Sequence, residues 1–281
     1  MRVLMSGVDF FHVEELNPYS KADNQPDATR TGNEYQNLIN ALQEAHIEVI
    51  RTNSPPHCQD GVYTANWALC RGNIAVMASL PNMRQGETPH AKQALANLGF
   101  EIVTLPGDIR FSGQGDALPC GDLLFTGTSY RTDAAAHQYI TDILGYTVIS
   151  LQTIPALDVA GKPLINKVTG WPDSFFYDID LALSVIRPDL IAWCPDAFTP
   201  DSQAIIRNLS INKIEVSLDE AQNHFACNLV STGEVVIMSN AAPNLQKAIE
   251  SYGLKTITPN LTELPKGGGY IRCMTLALDN N

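Results

Sequence analysis

Five stretches of the chain repeat one pattern of apolar and polar positions: an amphipathic helix, a short turn, then a β-rich run. They are LINALQEAHIEVIRTN (38–53), AKQALANLGFEIVTLP (91–106), AHQYITDILGYTVISLQ (136–152), SQAIIRNLSINKIEVS (202–217) and LQKAIESYGLKTITPN (245–260). Gly99, Gly145 and Gly253 stand where three of these helices stop, as a left-handed C-terminal cap requires. Between the stretches lie paired apolar runs that read as hairpins. Their turns fall at Arg71-Gly72-Asn73, Cys120-Gly121-Asp122, Arg187-Pro188-Asp189 and Thr232-Gly233. A fifth pair joins the C-terminal run GYIRCMTLAL to the N-terminal run RVLMSGV.

A period of roughly 45–65 residues is that of a propeller or a similar array. An open α/β sheet also alternates helices with strands, but it carries one strand per helix, whereas here a hairpin accompanies each helix. The pattern therefore predicts an α/β chain of five units closed into a ring, with residues 1–281 as one domain and no exposed sheet edge at the closure. The polar stretch Asn17–Asn33 is the one long candidate loop, of the kind that serves as a lid.

Composition changes this picture little. The 281 residues are 44% hydrophobic and 17% charged, which is globular and large enough for a sizeable core. A net charge of −12 disfavours nucleic acid as a partner; it either serves solubility or draws in a small cation. No apolar run is long enough to cross a membrane, and MRVLMSGVDFF reads as a first strand rather than a signal peptide. The six cysteines are scattered, without zinc spacing, and fit free thiols in a reducing cytoplasm.

In a ring, polar groups converge near the axis, so the residues that interrupt the hairpins at matching places are the candidates for chemistry. Cys273 follows the run Gly267-Gly268-Gly269 and is either a packed thiol or a nucleophile. Asp116 follows a tight turn around Gln114, without the strand–helix context of a dinucleotide site. Arg131 either clamps a substrate carboxylate or forms a surface ion pair. Asn66 offers both a donor and an acceptor. Asp178 and Asp180, placed on a strand, face one side and either grip a planar cation or form a solvated edge.

Together these segments resemble the amidinotransferase superfamily, which includes arginine deiminases and dimethylarginine dimethylaminohydrolases. The resemblance covers nearly the whole chain: DGVYTANW, Arg84–Glu87, FSGQGDAL, GTSYRTD, FYDIDLAL, FACNLV and GGGYIRCMTL. It implies the five-bladed α/β propeller called the pentein fold. It implies Cys273 as nucleophile, Asp180 and Asn66 as guanidinium ligands and Arg131 as a carboxylate ligand. Two positions depart from the family. Ser112 replaces its glutamate and Asp178 replaces its general-acid/base histidine, so proton transfer falls to Asp178, with Asp116 and Ser112 left as substrate contacts. The function implied is hydrolysis of, or amidino transfer from, arginine or a derivative through a Cys273 thiouronium, with neither metal nor cofactor. The alternative is a binding or regulatory protein that keeps the pocket without turnover.

Overall fold

A computed structural model describes residues 1–280. In chain order, β1 (Arg2–Ser6), α1 (Ala28–Glu44) and β2 (Glu48–Thr52) come first. Three complete units follow. They are β3 (Ala68–Arg71), β4 (Ile74–Met77), α2 (Glu87–Asn97) and β5 (Glu101–Thr104); β6 (Ala117–Cys120), β7 (Leu123–Gly127), α3 (Ala134–Leu144) and β8 (Thr147–Leu151); and β9 (Leu183–Arg187), β10 (Leu190–Trp193), α4 (Pro200–Asn208) and β11 (Asn212–Glu215). A short helix, α5 (Leu218–His224), precedes β12 (Val230–Ser231), β13 (Val235–Ile237), α6 (Pro243–Ser251) and β14 (Lys255–Ile257). The last strand is β15 (Leu276–Ala277).

These strands form five three-stranded sheets of one design. The first strand pairs antiparallel with the second through the hairpin. The helix then returns the chain so that the third strand lies parallel to the second. The sheet of the first blade is assembled from both ends of the chain: β15 pairs antiparallel with β1, Val3 opposite Ala277 and Leu4 opposite Leu276, and β2 completes it. Arg2 and Asp279 fasten the closure with an ion pair at 2.7 Å. The array is the five-bladed α/β propeller expected from the repeat.

Burial places the axis. The first strands β3, β6, β9, β12 and β15 are almost wholly buried, while the third strands carry exposed positions. β9 neighbours both β6 and β12, as adjacent inner strands of a ring must. The hairpin turns at Gly72, Gly121 and Gly233 and the helix ends at Gly99, Gly145 and Gly253 all have positive φ, which glycine adopts without a Cβ penalty. All six thiols are free and buried. Among the described residues no helix is long and apolar enough to cross a membrane.

Three expectations need correction. The stretch Asn17–Asn33 is a loop only in its first part; from Ala28 it is α1, started by Asp27, whose carboxylate accepts the Arg30 amide at 2.8 Å. Cys273 does not lie in a strand. The chain bends into a turn at Tyr270–Thr275, where the Met274 amide donates to the Tyr270 carbonyl at 3.2 Å, and pairing begins only at Leu276. Asp178 and Asp180 are not on a strand either. Ile179–Leu181 is a single 3₁₀ turn before β9, so a turn, not strand alternation, aims the two carboxylates.

Candidate active site

Each blade enters its inner strand from a turn, and the five turns meet at one end of the axis. They carry Asn66 before β3, Ser112–Asp116 before β6, Asp178 and Asp180 before β9, Asn228 before β12 and Cys273 before β15. The fivefold repeat therefore fixes the site: one polar residue or pair is delivered by each blade from an equivalent position.

Cys273 Sγ lies 3.3 Å from Asp180 Oδ2 and 3.1 Å from Asn228 Nδ2. Asn228 Oδ1 accepts the Cys273 backbone amide at 3.1 Å, so one side chain orients both the thiol and its backbone. On the other side, Asn66 Nδ2 donates to Asp178 Oδ2 at 2.8 Å and to Ser112 Oγ at 3.0 Å. Arg84 Nη1 donates to Asn66 Oδ1 at 2.9 Å, which fixes the amide orientation. Arg84 is itself held by Glu87, Nε to Oε1 at 2.7 Å, and Trp67 Nε1 donates to the same carboxylate at 2.9 Å. Asp116 Oδ1 accepts the Ile179 amide at 2.9 Å, which ties the third and fourth blades together. The glycines keep this space open. A side chain on Gly115 would overlap the Asn66 amide, and one on Gly127 would overlap the Asp116 carboxylate.

The electrostatics are those of crowded acids out of water. Burial, reinforced by Asp178, raises Asp180 to about 8. The same two causes hold Asp116 well above the carboxylate range. Burial and then Asp180 push the Cys273 thiol well above its usual value. One oxygen each of Asp178 and Asp180, both Oδ1, is buried without a protein partner. Crowded buried carboxyls with two unpartnered oxygens are complementary to a planar cation with several N–H donors, which supplies both a balancing charge and the missing hydrogen bonds.

Arg131 stacks over the Tyr177 ring, Cζ 4.2 Å from its centroid, and the Tyr177 hydroxyl donates to the Gly268 carbonyl at 2.7 Å. Among the described residues Arg131 makes no ion pair; the surface pair considered from the sequence is formed instead by Arg110 with Asp133. Asn17, from the long loop, donates to the Gly267 carbonyl at 3.0 Å and so lies over the glycine run that precedes Cys273. No histidine enters this network among the described residues; His224 ends α5 and makes none of these bonds. No group of His, Cys, Asp and Glu there is arranged to hold a metal ion.

Asn66, Ser112, Asp116, Asp178, Asp180 and Cys273 are thus brought together, with Arg131 beside Tyr177. Asn228 was missed. It is the fifth blade's counterpart of Asn66, two residues before the inner strand, and the repeat register alone points to it.

The sequence profile of a family described as N,N dimethylarginine dimethylhydrolase, eukaryotic, matches residues 13–279. A dimethylarginine dimethylaminohydrolase of Mycobacterium tuberculosis is 32% identical over 78% of this chain and 66% of its own length. The bifunctional arginine dihydrolase/ornithine cyclodeaminase AgrE of Nostoc is 29% identical over 98% of this chain, which spans only 37% of the length of that relative. Among solved structures, the N-terminal domain of ArgZ, an arginine dihydrolase, bound to substrate, superposes with a TM-score of 0.88 over 99% of this chain and 98% of that domain, at 27% identity.

Proposed function

Because the chain belongs to the dimethylarginine dimethylaminohydrolase family, we propose that it hydrolyses a C–N bond of a guanidino compound, arginine or an arginine derivative, with Cys273 as the nucleophile. The observation that carries this reading is the buried thiol of Cys273 lying between Asp180 and Asn228, with the Asn66–Asp178 pair delivered to the same end of the axis by two other blades.

A guanidinium carbon is a poor electrophile because its charge is delocalised, so it must be held flat and its neighbours polarised. Asp180 and Asp178 accept its N–H groups through their free oxygens. The incoming positive charge reverses the effect of burial on both Asp180 and Cys273, so the substrate itself favours the thiolate. The thiol proton passes to Asp180, 3.3 Å away, as sulfur bonds to the guanidinium carbon. The C–N bond to the leaving nitrogen then breaks as the proton taken from the thiol is relayed from Asp180 through Asp178 to that nitrogen, which departs as a neutral amine or ammonia. An S-alkylthiouronium on Cys273 remains. Water adds to its carbon and gives a proton to Asp178, the C–S bond breaks, and sulfur takes a proton back through Asp180. The second proton lost from the water leaves with the solvent as the urea-type product forms. Asn228 holds sulfur in place through both bonds it makes to Cys273. Arg131 receives the substrate carboxylate, its free edge set by stacking on Tyr177.

A second reading rests on one feature. The residue placed to move protons is a carboxylate already bonded to Asn66, with no histidine beside it, which suits a protein that binds the guanidino ligand without turning it over. Incubation with arginine, methylarginines and agmatine separates the two. Release of ammonia or an amine with a urea-type product, abolished in Cys273→Ala, supports hydrolysis. Saturable binding without product supports the second reading.

A further inference from the structure

The inner strands run away from Cys273, and at their far end a second cavity opens. Its volume is about 300 Å³. The hairpin turns of the third, fourth and fifth blades and the chain end after β15 form its rim, and Leu118, Leu183 and Leu229 contribute to its wall. One polar group inside it is unsatisfied, and a guanidinium there has no carboxylate partner. Ser184, 4% exposed, has a hydroxyl oxygen with no hydrogen-bond partner. Arg272 lines the same cavity, and its guanidinium donates only to neutral oxygens, the Thr275 carbonyl at 2.7 Å and Gln114 Oε1 and O at 2.9 and 3.4 Å. Among the described residues no carboxylate pairs with it, and its Nε–H has no protein acceptor. Arg84, the other guanidinium near the axis, has Glu87. At the rim Asp279 is paired with Arg2 and Arg187 with Asp189.

A guanidinium with no carboxylate in hydrogen-bonding reach, beside an unpartnered buried hydroxyl, is a costly arrangement for an empty cavity. We propose that this cavity binds a small monocarboxylate with a short apolar body, its oxygens on Arg272 and Ser184 and its hydrocarbon against the leucine wall. One unpaired positive charge matches a monoanion, and a dianion would bring one charge too many into apolar surroundings. The cavity opens at the opposite end of the inner strands from the thiol, but its inner end at Arg272 adjoins Cys273, so the test reads ligand binding and not turnover.

The test is calorimetric titration of butyrate, with inorganic phosphate as the comparison, at constant ionic strength and low chloride. Wild-type protein is expected to bind butyrate saturably and more tightly than phosphate. Arg272→Gln should weaken it at least ~10-fold and Ser184→Ala a few-fold, while Arg131→Gln, which alters only the other pocket, leaves it unchanged. If Arg272→Gln does not fold, Ser184→Ala and Arg131→Gln decide between the two pockets. No saturable binding up to ~50 mM, tighter binding of phosphate than of butyrate, or a loss that follows Arg131 rather than Ser184 overturns the proposal.

Discussion

Cys273 and Asp180 are 93 residues apart in the chain, yet sulfur and carboxylate meet at 3.3 Å because each sits within the turn that feeds an inner strand. Neither belongs to the other's blade. Their encounter is a property of the ring, and the chemistry proposed for the site depends on it.

Asp180 makes stability depend on pH in a definite direction. Its folded value of about 8 stands above the ordinary 3.8, so folding favours the protonated acid. The stability this contributes is complete below about pH 4 and is lost as pH climbs toward 8. Asp180→Asn removes the titration, so its Tm should fall less than that of the wild type between pH 5 and pH 8. Thermal melts of both proteins across that range check this; equal slopes would remove Asp180 as the source.

Asp178→Asn keeps an oxygen to accept from Asn66 but cannot carry a proton. Turnover should fall by ~10²–10⁴-fold, with a smaller change in KM and an unaltered Tm. Steady-state kinetics of the purified variant separates the two parameters.

Arg131→Gln should raise KM for carboxylate-bearing substrates by ~10-fold or more and leave the decarboxylated analogue agmatine unaffected. A parallel rise for both would move Arg131 out of carboxylate recognition.

Glu87 neutralises Arg84 and receives Trp67, all three buried. Glu87→Gln leaves Arg84 only the more distant carboxylate of Asp60, 3.9 Å away, and should cost up to about 3–5 kcal/mol of stability. It should also loosen Asn66, whose amide is set by Arg84. Denaturant unfolding measures the first effect, and the affinity for a guanidino ligand measures the second.

The blades were legible because each repeats the same switch from helical to strand spacing, and Gly99, Gly145 and Gly253 mark where the switch occurs. The turns that carry the site were less legible. Asp178 and Asp180 read as strand neighbours because two-residue spacing looks alike in a strand and in a 3₁₀ turn, and only backbone bonds such as the Leu181 amide to the Asp178 carbonyl decide between them. Cys273 read as strand because the apolar run from Tyr270 to Leu278 hides a turn. Asn228 carried no local signal; it stands between Cys227 and Leu229 like any core polar residue, and its role appears only when the five blades are aligned in register. Arg272 was passed over for a related reason: alternation beside a candidate nucleophile gives no hint that the side chain reaches a separate cavity.

The central claim is that the sulfur of Cys273 bonds to the guanidinium carbon of the substrate. It is tested most directly by acid-quenching a reaction with arginine or a methylarginine and mapping the peptides by mass spectrometry. A thiouronium adduct on the peptide containing Cys273, absent in Cys273→Ala, is the predicted result. Turnover with no adduct there, or an adduct on another of the six thiols, would contradict it.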